Sequence, residues 1–536
     1  MHIRNPSSFL QMLPYHVTSR LRVIGLLSLL LAASVAGRAG TLKAGQPGGI
    51  DLELTDRSLT EVRGWGLMPA PFDRQLPAYA DGSPAHGDAG WLPNTGSEPN
   101  AIHRAVGSLG FDIARVYLPP GLGRADGSLD EARLQDVKDH LAILARCGVT
   151  NFLVNMWSPP PHMKTPDRVR YGKFQERVQR LDPAFADGAG DDLAEYIVAV
   201  LKRLGEAGLP PPVGVSIQNE PDIAQNYDGC VYADTPEARA VYRQVLKQLR
   251  KRLDAERFNA VRILATESSG AANLEAFFGA ATTNGFTGLL ADRELEAAVG
   301  GFAWHQYHTV DHVRSFRAAM GAHDRPRWMT EVSQDATPMR GEEFPPTDDE
   351  GLKVTINMLR RMAADFTDFR VNYWFFWRGW HSTGGKSYPA QDLVFGDERR
   401  AQLTKLGLVL QRIWTTVRPG WRVLAARSSD PEFRTDNELM IGGYEPNGNM
   451  MSRGTDIIAF ADADNGRQLI LLINRWKDSK TITRLGGLTG SRGLAQVTTV
   501  AADLNQQPPR SIEKGVLTGG PLVLPGLSVT LIETEK

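Results

Sequence analysis

Short apolar runs alternate with longer amphipathic ones along most of the chain. "VGVSIQ" from 213 shows the first kind, with Val213, Val215 and Ile217 separated by small or polar residues at the period of a strand. "SLDEARLQDVKDHLAILARCG" shows the second: helical spacing, a Ser-x-x-Glu capping box at its start, and Gly148 at its end. The same reading predicts strands at "RGWGLM" around Gly64, "IARVYL" (113), "NFLVNM" (151), "RILATE" (262), "GFAWHQ" (about 300), "RWMTEV" (327) and "VNYWFFW" (371). Helices fall between them, among them "DDLAEYIVAVLKRLGEAG", "PEARAVYRQVLKQLRKRL" and "DEGLKVTINMLRRMAADF". Eight strands alternating with helices over residues 60–415 predict an α/β fold, a closed (β/α)8 TIM barrel, with an open doubly wound sheet as the alternative. No Gly-x-Gly-x-x-Gly opens a helix after a strand, so a dinucleotide-binding sheet lacks its motif.

Beyond about residue 415 the pattern changes. "WRVLAARS", "DIIAFADAD", "QLILLINRW", "KTITRLGG" and "LSVTLIETE" are short strands divided by Gly, Asn and Asp turns, which predicts an antiparallel β module. "IDLELT" (50–55) has no helix after it and is assigned to that module, giving a second domain of 45–59 plus 416–536.

Composition is that of a globular protein: 536 residues, 42% hydrophobic and 23% charged. The first 36 residues read as an export signal. Arg4, Arg20 and Arg22 precede the uncharged run "VIGLLSLLLAASVAG", which is short for a membrane span and ends in small residues. Its removal leaves 57 basic against 61 acidic residues, a net charge near −4. The expected location is therefore secreted or periplasmic, with no membrane attachment after cleavage. The charge balance recommends no nucleic-acid partner, and the basic cluster "KQLRKRLDAER" reads as a solvated helix face. A monomer is expected. Of the two cysteines, Cys147 falls at the bottom of the predicted barrel and Cys230 near its top, so no disulfide between them is expected. With so few cysteines and no close His/Cys cluster, no structural zinc site is expected.

In a (β/α)8 barrel, reactive groups stand at the carboxyl ends of the strands. Glu220 in "SIQNEPD", Glu267 in "RILATESSG" and Glu331 in "RWMTEVSQ" all fall there. Two carboxylates on rigid strands suit glycosidic cleavage, one protonating the leaving oxygen and the other attacking the anomeric carbon. A glutamate at a strand end also serves as a surface acid or as the partner of a loop arginine. Context favours Glu220, beside Asn219 and Pro221, and Glu331, after Thr330; Glu267 is given no chemical role. The rim carries Trp65, Trp157, His305, Tyr307, Trp377 and Trp380. Each ring alone reads more readily as core, but six at one rim favour a carbohydrate cleft. Arg115 is either a buried ion-pair partner or a clamp on a catalytic carboxylate. Arg378 reads as an ordinary loop arginine or as a contact for a uronic acid.

"SIQNEPD" followed by "WMTEVSQ", with "WSPPPHMK" earlier and "KLGLVLQRIWTTVRPGWRVLAA" later, resembles glycoside hydrolase family 30 from about residue 45 to the end. That family contains glucosylceramidases, endo-xylanases, β-1,6-glucanases and β-1,6-galactanases. The resemblance implies a β-sandwich after the barrel and a retaining double displacement without metal or cofactor. It makes Glu220 the acid/base and Glu331 the nucleophile. Asn219 would hold the sugar 2-hydroxyl, and Arg115 would keep Glu331 charged. His305 and Tyr307 would line the subsite, with Trp157 and Trp377 as its walls. The implied substrate is an oligo- or polysaccharide, with endo action on xylan, β-1,6-glucan or β-1,6-galactan. The alternatives are an exo-acting β-glucosidase or glucosylceramidase-like enzyme, and a non-catalytic carbohydrate-binding protein.

Overall fold

The computed structural model describes residues 49–69, 99–164, 191–223, 229–232, 235–279, 281–282, 285–308, 313–333, 349–380, 392–431, 433–434, 454–476, 478–488, 495–501, 512–517 and 520–534. The expected leader at 1–36 and almost all of the Gly/Pro-rich stretch 81–99 lie outside them. Among the described residues no helix is long and apolar enough to cross a membrane.

Eight strands close into a parallel barrel. They are β1 (Gly64–Met68), β2 (Ile113–Leu118), β3 (Asn151–Met156), β4 (Gly214–Ser216), β5 (Arg262–Gly270), β6 (Val299–His308), β7 (Arg327–Glu331) and β8 (Tyr373–Trp377), with β8 pairing back to β1. Helices cover the outside, so these strands are apolar on both faces. Successive side chains point in and out. Ile113, Leu153, Leu264, Ala303, Trp328, Tyr373 and Phe375 meet inside the barrel as an apolar floor. Phe152, Val154 and Met156 point the other way, into the core beneath the helices.

The helix Glu131–Arg146 is capped by Asp130, not by the expected Ser128 box. The Asp130 carboxylate accepts from the N–H groups of Ala132 and Arg133, and Ser128 bonds Asp126 instead. Gly148 then ends the helical segment at φ +90, a conformation glycine adopts freely. Cys147 closes this helix below β3, whereas Cys230 is buried beyond the far end of β4, where Tyr232 N–H bonds Pro221 O at 2.7 Å; no disulfide joins the two.

After the barrel, the chain forms one ten-stranded sheet. Ile50–Glu61 joins it, as expected, pairing with Arg422–Ser428. The sheet is mixed rather than purely antiparallel, because Ile50–Glu61 also runs parallel to Lys480–Gly486. The run "QLILLIN" (Gln468–Asn474) is buried throughout. Its Ile470 and Leu472 enter a core enclosed by the sheet itself, while Leu469, Leu471 and Ile473 enter the core shared with the barrel helices. Gly45–Lys536 is therefore one compact unit.

Trp65 belongs to this shared core, not to the rim where the sequence reading put it. On β1 it points outward: its ring packs on Trp414 (6.4 Å between centroids), Phe366 (5.5 Å) and Phe460 (5.9 Å), and its Nε1 donates to Val417 O at 2.8 Å.

Candidate active site

One period above the apolar floor, the inward positions become polar. Arg115 on β2 is wholly buried. Its Nη1 donates to Glu331 Oε2 at 2.5 Å, and its Nη2 donates to Glu267 Oε2 at 2.7 Å and to Asn219 Oδ1 at 2.6 Å. Asn155 on β3 donates to Glu267 Oε2 (2.6 Å) and to Ser216 Oγ (3.1 Å). On β6, His305 Nδ1 lies 3.0 Å from Glu220 Oε1 and 3.8 Å from Glu331 Oε1. Half-buried Tyr307 donates its hydroxyl to Glu331 Oε1 at 3.0 Å. Glu331 ends β7, as expected.

Glu220 is displayed differently from the sequence expectation. Regular β4 stops at Ser216, and the backbone continues as an irregular extension. Asn219 N–H bonds Met156 O at 2.7 Å, and Glu220 N–H bonds Glu267 O at 2.8 Å, so the segment stays attached to both neighbouring strands. Glu220 (φ +46) and Glu267 (φ +58) both adopt left-handed backbone. Such a conformation costs on the order of 1–3 kcal/mol for a non-glycine residue and clusters at functional sites. Asp222 anchors the following turn by accepting from Ser269 N–H (3.0 Å) and Ser269 Oγ (2.6 Å).

Above this layer stand Trp157 and Trp377, with ring centroids 5.2 Å apart, packed with Met68 and Tyr117. Trp377 remains partly open to solvent. Trp380 does not join them. It is buried and donates to Gly396 O at 3.2 Å, fixing the segment that follows β8. Arg378 is committed to a buried ion pair with Asp392 at 2.7 Å.

The structure thus gathers Arg115, Asn219, Glu220, His305, Tyr307 and Glu331 into one cluster, with Trp157 and Trp377 over it. It sets Trp65 and Trp380 apart. It also corrects the standing of Glu267, which is fully buried at the centre of the cluster rather than a bystander. Asn155 and Ser216 were missed; their only signal was a polar side chain inside an otherwise apolar strand.

The electrostatics follow from this packing. Burial disfavours the charge of Glu267, but Arg115 and His305 overcome it and hold the carboxyl down at about 2. Burial also disfavours a charged His305, yet Glu331, with Glu220 and Glu267, pushes it up to about 10. Arg115 Nη2 comes within 3.4 Å of His305 Nε2, a close approach of two cations that the three carboxylates compensate. Glu220, His305 and Glu331 each place one ligand atom within 4.8 Å of the others, a spacing that a divalent cation tolerates. Arg115 already supplies positive charge there.

The raised histidine gives a pH prediction. A folded-state pKa of about 10 against an ordinary 6.5 means stability that is fully present below pH 6.5 and is lost as the pH rises through about 10. Thermal midpoints of the wild type and His305→Gln, compared across that window, are expected to converge as the pH rises. A constant gap between the two curves would refute a charged His305.

No protein-family model matches the chain, and no curated protein matches it. Solved structures do. A conserved exported protein from Bacteroides fragilis superposes with a TM-score of 0.64 at 15% identity, covering 90% of this chain and 100% of that one. The glycoside hydrolase family 30 subfamily 8 xylanase Xyn30A from Clostridium acetobutylicum gives 0.58 at 17% identity, covering 90% and 99%. The endo-β1,6-glucanase BT3312 gives 0.55 at 16%, covering 91% and 95%. The chain therefore shares the fold of these structures, the family 30 xylanase among them: a closed barrel with an appended sheet to which both ends of the chain contribute.

Proposed function

We propose that the protein is an exported retaining β-glycoside hydrolase acting on a polysaccharide. The observation that carries this reading is the pairing of Glu220 and Glu331, which have carboxylate oxygens within 4.8 Å of each other. Retaining enzymes hold their carboxyl groups about 5–5.5 Å apart, whereas inverting ones leave about 6.5–9.5 Å for a water.

The contacts distinguish the roles. Arg115 and Tyr307 both donate to Glu331, which fixes its oxygens as acceptors and aims the carboxylate. Arg115 bonds Glu331 and Glu267 but not Glu220. Glu220 is the general acid. Glu331 attacks the anomeric carbon, the C1–O bond breaks, and the Glu220 proton passes to the departing oxygen. Glu220, now ionised, takes a proton from water, whose oxygen attacks C1 and releases Glu331. His305 donates to Glu220 and compensates its alternating charge. Trp157 and Trp377 supply apolar faces for a sugar ring.

Endo action on xylan, β-1,6-glucan or β-1,6-galactan is the reading for substrate, supported by likeness to a xylanase and a β1,6-glucanase. Hydrolysis of these three polymers, with products sized by chromatography, tests it. Short oligomers from one polymer are expected; free monosaccharide alone would indicate exo action, and no release from any polymer or aryl β-glycoside would defeat the enzyme reading.

Export rests on the Arg-flanked apolar run of residues 23–37. N-terminal sequencing of protein recovered outside the cytoplasm is expected to begin near Gly37. An intact Met1 in the membrane fraction would overturn export by cleavage.

A further inference from the structure

At the end of the barrel opposite Glu331, five arginines gather around one cavity. Arg63 directly precedes β1, Arg327 opens β7, and Arg370 ends the buried turn Asp365–Phe369 just before β8. With Arg317 and Arg325 they line one cavity of ≈ 410 Å³, whose lining includes a single acid, Asp324. Most of their partners are backbone carbonyls. Arg325 donates to Val299 O (2.7 Å), His323 O (3.2 Å) and Glu296 O (3.1 Å). Arg327 Nη1 donates to Phe369 O and Arg317 Nη1 to Asp368 O, each at 3.0 Å. Arg63 reaches Glu61 at 3.5 Å, but both are solvent-exposed. Arg370 Nη1 is buried and has no hydrogen-bond partner.

Neutral carbonyls satisfy donors without cancelling charge. Burial and the Arg317 charge bring Arg327 down to about 10, and burial and Arg317 bring Arg370 down to about 9, with Asp368 opposing. The walls are pre-formed: Thr60 Oγ1 donates to Arg370 O at 3.1 Å and accepts from Asn372 Nδ2 at 3.2 Å. Guanidinium groups present planar, paired donors that match tetrahedral oxyanions.

We propose that this cavity binds a small multivalent oxyanion of the phosphate or sulfate type. The site is separate from the carboxylate cluster, because the four residue steps of β7 from Arg327 to Glu331 span about 13 Å. An anion there relieves the repulsion among the arginines, and so stabilises the folded chain by binding it and not the unfolded one.

The test uses inorganic phosphate and, in a parallel arm, sulfate, each against chloride at matched ionic strength. Phosphate is expected to raise the thermal midpoint along a saturating curve, and calorimetric titration of the folded protein at 25 °C is expected to show one site. An equal response to sulfate identifies a general tetrahedral-anion site; a response to phosphate alone identifies one that also uses the phosphate hydroxyl. Arg370→Gly and Arg327→Gln are expected to lose at least half of the midpoint shift and the calorimetric signal. Arg370 sits at φ +60, which glycine adopts freely, so Arg370→Gly keeps an anion-free midpoint near or above that of the wild type. A rise that grows linearly without saturation, or one equal in wild type and both variants, is general salt stabilisation and overturns the proposal.

Discussion

Glu331→Ala is expected to lose turnover on every substrate by roughly 10⁴-fold or more, the scale seen when a nucleophile is removed. No glycosyl-enzyme can form without it. Glu220→Ala is expected to fail differently, because only leaving groups that need a proton suffer. An aryl glycoside with a good leaving group still glycosylates Glu331, and azide entering the space vacated by the Glu220 carboxylate then releases a β-glycosyl azide. Rates with and without azide, and the configuration of the product by NMR, separate the two acids. Wild-type activity in Glu331→Ala, or an α-configured azide from Glu220→Ala, would reverse the assignment.

Glu267→Ala carries the second large effect, and it falls on stability as well as rate. The variant leaves Arg115 and His305, both buried, with two carboxylates instead of three, and it leaves the Asn155 amide only its bond to Ser216 Oγ. Breaking a buried ion pair by removing one partner costs about 3–5 kcal/mol. The sign with pH follows from a folded-state pKa of about 2 against an ordinary 4.5: the contribution is present above pH 4.5 and fades as the pH falls through about 2. Thermal unfolding at pH 7 is expected to show a markedly lower midpoint. Chemistry is also expected to slow, because Arg115 is no longer held between two carboxylates and Glu331 loses its fixed aim. Unchanged stability and kcat would show that Glu267 is a spectator. Glu267→Gln keeps the shape and the Asn155 contact while removing the charge, and so separates electrostatics from packing.

The barrel was legible because its strands are short apolar runs spaced by capped helices, and the candidate residues at or just past strand ends drew attention by that position, whereas Arg115 lies inside its strand. What could not be read is which face of each strand points inward. Helices outside and side chains inside make both faces apolar, so the period-two pattern that labels the faces of a half-exposed sheet is absent. Trp65 therefore looked like a rim aromatic, although the inward positions of β1 are Gly64, Gly66 and Met68. Asn155 and Ser216 were overlooked for the same reason, since a polar residue in a strand declares itself only once the inward face is known. Glu267 was undervalued because three glutamates held equivalent strand-end positions. Their difference lies in what Arg115 touches, a relation between residues 152 and 216 positions apart. Trp380 was misplaced because its ring is buried and bonded to the Gly396 carbonyl, a partner sixteen residues on that the sequence does not reveal.

The strand Ile50–Glu61 has a consequence for the order in which the molecule can assemble. It emerges from the ribosome before any barrel strand, yet its antiparallel partner is Arg422–Ser428; Thr55 and the Ala425 carbonyl it bonds are 370 residues apart. At about 5–20 residues per second, synthesis of that interval takes roughly 20–75 s. Throughout it, a half-apolar strand has no sheet to enter, and its open edge is available to other chains. The core shared between barrel and sheet closes only after the last strand, Ser528–Thr534, is released. Such a chain gains little from folding while it is being made, and holdase protection of its first sixty residues should raise its yield more than faster translation would.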